Sequence, residues 1–258
     1  MCKLRGMFAK YRLSKEGDTL MISSVKALVK KRFSIRETVC TVIADINEAI
    51  KAAEYAITYH RKQLESYIRM REEFLYSLKP LKVVDGPIIV RLMASASAKA
   101  GVGPMASVAG ALADLAVEAM LAVGAKTAII ENGGEVAAVS ETPVDVALLA
   151  GVSPLSRRLG FRIEKFPMGI ATSSGVYGHA LSFGEAESVT VFAENASLAD
   201  AAATAVCNVV RGSNPNQALR KGVRKALYIK GVEGVFIIYK GKIALAGNVP
   251  KLVSLQKY

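Results

Sequence analysis

The chain has 258 residues, 52% of them hydrophobic, and a mean hydropathy of +0.30. That is enough to bury a sizeable core as one large domain or two closely packed modules. It contains no run of about 18 uncharged apolar residues, so no span of a bilayer is expected. The opening MCKLRGMFAKYRL mixes charged and apolar residues, without the apolar stretch of a signal peptide, and a cytoplasmic location is expected. Cys2, Cys40 and Cys207 are odd in number and far apart, which excludes a disulfide framework and a C-x-x-C zinc site. The net charge of +12 is uneven: residues 1–85 hold 17 basic and 10 acidic residues, residues 86–210 hold 7 and 11, and residues 211–258 hold 10 and 1. Basic ends attract anionic partners. The aromatics of the tail (Tyr228, Phe236, Tyr239) alternate within an expected hairpin and should pack, so nucleic acid ranks last among the partners.

In chain order, MFAKYRL and TLMIS flank Lys15-Glu16-Gly17-Asp18 and predict a β-hairpin. TVCTVIADI is β-branched and predicts a strand. From Asn47 to Leu78 the spacing of Ile50, Ala53, Ile57, Leu64 and Ile68 predicts a long helix with a break near Arg71, ended by Pro80. Asp85 is placed to cap a helix over GPIIVRLMASASAKA. After the break Gly101-Val102-Gly103-Pro104 comes a helix with a small-residue face, closed at Gly124. KTAIIE, VDVALLAGV, FRIEKF, GIATSS and SVTVFAE read as strands, SLADAAATAVCNVV and NPNQALRKGVRKAL as helices. YKGK turns between VFII and IALA in a second hairpin. This mixture predicts an α+β protein, not a doubly wound sheet.

Four clusters of small and polar residues stand out. AGVGPMASVAG, with Gly103, Pro104 and Met105, enters a helix; free backbone N–H groups there suit a phosphate, and small residues equally let helices approach closely. ENGGEVAAV places Asn132, Gly133, Gly134 and Glu135 at a tight turn needing positive φ; as an ordinary hairpin, it leaves Glu131 and Glu135 merely exposed. ATSSGVYGHALSFGEA offers Thr172, Ser173, Ser174 and Gly175 to a phosphate or heterocycle, and His179 to proton transfer or to a turn. SLADAAATAV sets Asp200 and Thr204 four apart on one helical face, two hard oxygen ligands of the kind Mg²⁺ takes. The same stretch fits a capping box in which Asp200 folds back on Ser197. His60 reads as a surface or packing residue, and small-residue helices with hairpin edges make a homodimer plausible.

Taken together, GPMASVAGALADLAVEAMLAVGAKTAIIENGGEVAAV, then TSSG, a histidine and ADAAATAV, resemble the ApbE-like flavin transferases over about residues 87–210. VGPMASVAG, ENGGE, TSSG-x-x-GH-x-LSFG and ADA-x-AT most resemble an uncharacterised, archaeal-type branch of that superfamily. The resemblance implies a T-fold-like α+β architecture of two related subdomains over residues 1–258, with the hairpin and long helix before residue 86 and a basic helix and hairpin after residue 210. It implies FAD as a nucleotide ligand, cleavage of its pyrophosphate with Mg²⁺, and transfer of FMN to a threonine of an acceptor protein. Carried over, Asp200, Thr204 and a main-chain carbonyl near Val108 hold the metal. His179 heads the H-x-x-D-P segment, Gly133 and Gly134 form the Gly-Gly turn, and Thr172, Ser173 and Gly175 contact the flavin. The chain departs from the family's pattern where a lysine is expected, in Val108-Ala109-Gly110, and where Ser182 and Phe183 stand for aspartate and proline. The alternative reading is a flavin- or nucleotide-binding protein without transferase activity.

Overall fold

The computed structural model describes residues 20–21, 28–151, 153, 155–176 and 182–255. The expected N-terminal hairpin and His179 lie outside the described residues, apart from Leu20–Met21. In order the elements are β1 Leu20–Met21, β2 Val29–Ile35, β3 Thr38–Ala44, α1 Asn47–Met70, α2 Glu73–Tyr76 and α3 Ile88–Ala100. A 3-10 turn over Pro104–Ser107 leads into α4 Val108–Ala122, then β4 Ala128–Asn132, β5 Glu135–Val139, β6 Val144–Ala147, β7 Leu159–Ile163 and β8 Met168–Ser173. The chain closes with β9 Ser188–Ala193, α5 Ala196–Val209, α6 Pro215–Tyr228, β10 Val232–Tyr239, β11 Lys242–Gly247 and β12 Lys251–Ser254.

Local sequence explains most boundaries. The break in the long helix falls at Arg71, whose N–H still reaches the Tyr67 and Ile68 carbonyls before the chain turns into α2. Asp85 does not cap α3. Pro87 occupies that position with an extended ψ of 153°, its carbonyl accepts from Arg91 N at 3.2 Å, and Asp85 is left two residues outside. Gly101 ends α3 in the left-handed region at φ 78°, sending its N–H back to the Ser97 carbonyl. Tyr228 corrects another expectation: it is the last residue of α6, not part of the hairpin, and is 88% exposed, whereas Phe236 and Tyr239 on β10 are buried.

Eight strands form one antiparallel sheet in the order β11-β10-β9-β8-β5-β4-β3-β2, and four form a second in the order β1-β6-β7-β12. Alternation along each strand of the large sheet divides its side chains between two cores. Ile129, Val136, Ile170, Phe192 and Phe236 meet Val144, Val146, Phe161 and Ile163 of the small sheet. Phe161 there contacts Phe192 and Phe236 edge-to-face, at 4.9 and 5.4 Å between centroids. On the other face, Cys40, Val42, Ile130 and Ala137 pack with α1 and α4, and Ala171, Val189, Val191 and Val235 with α5 and α6. The result is three layers: small sheet, large sheet, helices. The α+β class expected from the sequence is the one observed.

The stretch Pro104–Ala122 is long and apolar enough, by length and composition, to cross a membrane, yet half of it is buried against α1, α5, β4 and β5. Its apolar character serves the interior of the fold.

Candidate functional site

The helical layer is built on close backbone contact. A Cβ on Gly110 would stand 2.2 Å from the Ala196 carbonyl oxygen, and one on Gly169 would stand 2.0 Å from the Asn195 carbonyl carbon. Glycine therefore lets α4 and β8 both press against the start of α5. Gly103, seven residues earlier, allows a similar close approach to the stretch after α2, where a Cβ would fall 1.8 Å from the Ser77 carbonyl oxygen. Pro104 is buried, and Met105 packs against the core between α1, α3 and α4. At Gly103 and Gly110 the close-approach reading of the first cluster is the one the packing supports.

Polar groups converge at that crossing. Asp200, on the second turn of α5, accepts a hydrogen bond from Gly110 N at 3.0 Å, at the start of α4. Asn132, the last residue of β4, donates through Nδ2 to the Ala109 carbonyl at 3.0 Å. Gly133 and Gly134 follow with φ of 69° and 116°, the two positive values a tight two-residue hairpin turn demands, and Glu135 pairs back across the strands with Asn132. Clusters 23 and 90 residues apart in sequence are thereby joined by direct hydrogen bonds.

The capping-box reading of Asp200 does not hold. The helix begins at Ala196, which makes Ser197 its second residue, and Asn195 is the N-cap, its Oδ1 accepting from Leu198 N at 2.9 Å. Asp200 is free to turn toward α4. Thr204, one turn further along α5, is 9% exposed.

Electrostatics mark the same place. Burial pushes the Asp200 carboxyl up to about 7; the Gly110 N–H opposes this, Asp114 adds to it, and the Ala109 N–H opposes it. Burial likewise holds Glu135 well above the ordinary carboxylate range, reinforced by the charges of Asp200 and Glu131. Glu135 is thus not the merely exposed carboxylate of an ordinary hairpin: its turn folds under the helices. The neighbouring charges that act on this pair are all negative, while both side chains keep intermediate exposure. Both carboxyls therefore tend to hold their protons in the absence of a cation.

The third cluster is divided by strand alternation. The β5–β8 register pairs Val136 with Ile170 and Ala137 with Gly169, which brings the Gly-Gly turn beside the end of β8. Ser173 faces the helices, buried, with its hydroxyl close to the Cys207 thiol. Thr172 points the other way, shares a 2.9 Å hydrogen bond with Thr190, and lines a narrow cavity with Gly134, Leu148 and Phe161. Ser174 Oγ and Gly175 N both bond to the Ala186 carbonyl, at 3.3 and 2.9 Å. Ser182, standing where the aspartate was expected, lies with its Oγ 3.1 Å from Cys207 Sγ and 3.4 Å from Asn208 Oδ1.

A family model described as AbpE bacteria matches residues 26–226. The chain belongs to this family. Its ApbE-like character extends to archaeal relatives: it is 42% identical over 233 residues to a UPF0280 protein of Methanocaldococcus jannaschii, covering 88% of this chain and 94% of that one. A UPF0280 protein of Methanopyrus kandleri is 41% identical over 229 residues, covering 87% and 93%. These relatives place it in the archaeal ApbE-like branch that its motifs resemble. Among solved structures, the apo flavinyl transferase ApbE of Pseudomonas stutzeri superposes with a TM-score of 0.59 at 17% identity, covering 86% of this chain and 94% of that one. The ApbE protein of Thermotoga maritima gives 0.55 at 16%, covering 86% and 97%. At that identity the likeness establishes the fold.

Sequence reading missed Asp114. It had a signal, an acidic residue inside the apolar LADLAV and four residues after Gly110, which puts it on the face of α4 that meets α5. Its Oδ1 and Oδ2 accept from Ala196 N and Ser197 N, both at 2.8 Å.

Proposed function

We propose that this ApbE-like chain binds a flavin nucleotide such as FAD through a divalent cation, with Asp200 and Thr204 as side-chain ligands and a main-chain carbonyl near Val108 beside them. The observation that carries the reading is the convergence at the start of α4 of Asp200, bonded to Gly110 N, and Asn132, bonded to the Ala109 carbonyl, beside the buried carboxyl of Glu135. The donor set fits Mg²⁺: a carboxylate, and a hydroxyl one helical turn on, are hard oxygen groups that leave room for water and phosphate oxygens. A bound cation there supplies the charge neutralisation that a diphosphate needs.

The residues of the chain do the rest. Gly110 N–H fixes the Asp200 carboxylate by one oxygen. Asn132 fixes the Ala109 carbonyl and so the first turn of α4. The buried Ser173 hydroxyl and the Gly-Gly turn border the same end of the sheet and serve as contacts for the nucleotide. His179 is proposed as the proton-transferring residue beside the reacting phosphates.

Transfer of FMN to a threonine of an acceptor protein is the fuller form of this reading. A binding protein without transfer is the second, and a specific observation favours it. Position 109 carries only a methyl group where the family has lysine, and the Ser182 hydroxyl lies against Cys207 and Asn208. Both changes remove charge from the region where a transition state gains it.

Titrating the purified protein with FAD, with and without Mg²⁺, tests the binding step. Saturable binding that needs Mg²⁺ and is lost in Asp200→Ala is expected. Equal binding by Asp200→Ala removes the metal assignment. Release of AMP on adding a threonine-bearing acceptor separates transferase from binding protein.

A further inference from the structure

The two helices that carry the site hold each other by their first turns. Asp114 of α4 receives the first two N–H groups of α5, from Ala196 and Ser197, at 2.8 Å each. Asp200 of α5 receives Gly110 N–H of α4 at 3.0 Å. Between these bonds the two backbones touch at Gly110 and Ala196. Each helix thus presents a side-chain carboxyl to the positive end of the other.

Asp114 is not needed to start α5. Asn195 already caps it, accepting from Leu198 N and from the Ser197 hydroxyl, each at 2.9 Å. What the Asp114 bonds add is tertiary: they fix the first turn of α5 to the second turn of α4. Asp200 lies one helical turn beyond Ala196 and Thr204 two, so any shift of that first turn is passed along a stiff helix to both.

We propose that Asp114 is a positioning residue for the cation site, setting where Asp200 and Thr204 stand relative to the first turn of α4. This rests on the metal reading given above. Asp114 lies behind the site, holding the backbone of α5, and acts on the cation only through it. Partners that orient metal ligands in this way change metal affinity by ~10–100-fold when removed.

The test uses Mn²⁺ as the probe, with free ion read by electron paramagnetic resonance and stability read by thermal melting. The wild type should bind one Mn²⁺ per chain, displaceable by Mg²⁺. Asp114→Asn, which leaves one acceptor oxygen for two donors, should keep that stoichiometry and weaken affinity by ~10-fold or more at a temperature where the variant is fully folded. A lower melting temperature with unchanged Mn²⁺ affinity overturns the proposal, because that is the signature of a purely structural role. A wild type that binds no Mn²⁺ overturns the metal reading itself, independently of the variant. Amide exchange on the wild type gives a second measurement that needs no substitution. Saturating Mg²⁺ should slow exchange at Ala196 and Ser197 in step with Gly110; slowing at Gly110 alone counts against the proposal.

Discussion

The two faces of the large sheet are packed by different chemistry. Toward the small sheet, Phe161, Phe192 and Phe236 interlock with Ile170, Ile238 and Val146, and the layer is held by large side chains. Toward the helices, Val42, Ile130, Val189 and Val191 share the packing with alanines such as Ala171, Ala199, Ala202 and Ala203, and Gly110 and Gly169 bring backbone against backbone. The aromatic face gains stability from area. The helical face gives some of that up and gains reach, since a carboxylate on one helix can meet a main-chain N–H on another only where no large side chain keeps them apart. The candidate site lies on that second face, and its desolvated carboxylates lower stability there.

The contrast can be broken by substitution on each face. Phe161→Ala should cost about 3–5 kcal/mol in unfolding free energy, read by denaturant titration, and leave Mn²⁺ affinity of the folded protein unchanged. Gly110→Ala should also destabilise, by about 1–3 kcal/mol or more because it meets backbone, and in addition weaken Mn²⁺ binding, because its Cβ forces α4 off Ala196. If Phe161→Ala weakens the metal and Gly110→Ala does not, the division between faces is wrong.

A smaller effect sharpens the same contrast through pH. The folded Asp200 holds its proton up to about 7, whereas its ordinary value is 3.8. Between these values the unfolded chain binds fewer protons than the folded one, so this group makes stability fall as pH rises from about 4 to about 7, with the full loss present above that. Glu135 acts in the same direction. Melting temperatures of metal-free protein across this range should therefore slope downward more steeply in the wild type than in Asp200→Asn. Parallel slopes would show that Asp200 is not desolvated.

Much of the fold was legible because the patterns were local. The 3.6-residue spacing of Ile50, Ala53 and Ile57 marks α1, the glycines at 101 and 124 end helices, and Lys240-Gly241 sits between paired strands. Strand β2 was missed because VKKRFSI is an edge strand whose Lys30, Lys31 and Arg32 are exposed, which hides its alternation. Strand β12 was missed as a short, largely exposed edge. Within the site, the spacing of Asp200 and Thr204 was readable, but the choice between capping and facing α4 was not. It depends on Asn195 taking the cap and on Gly110 lying against Ala196, both set by tertiary packing. The opposed directions of Thr172 and Ser173 follow from strand alternation once β8 is placed, and Asp114 becomes meaningful only when α5 is seen to cross it.

Anomalous diffraction from crystals soaked in Mn²⁺ addresses the cation most directly. A single strong peak within coordination distance of the Asp200 carboxylate and the Thr204 hydroxyl is the expected result. A peak elsewhere on the molecule, with the Asp200 carboxylate still bound to the Gly110 N–H, would contradict the account.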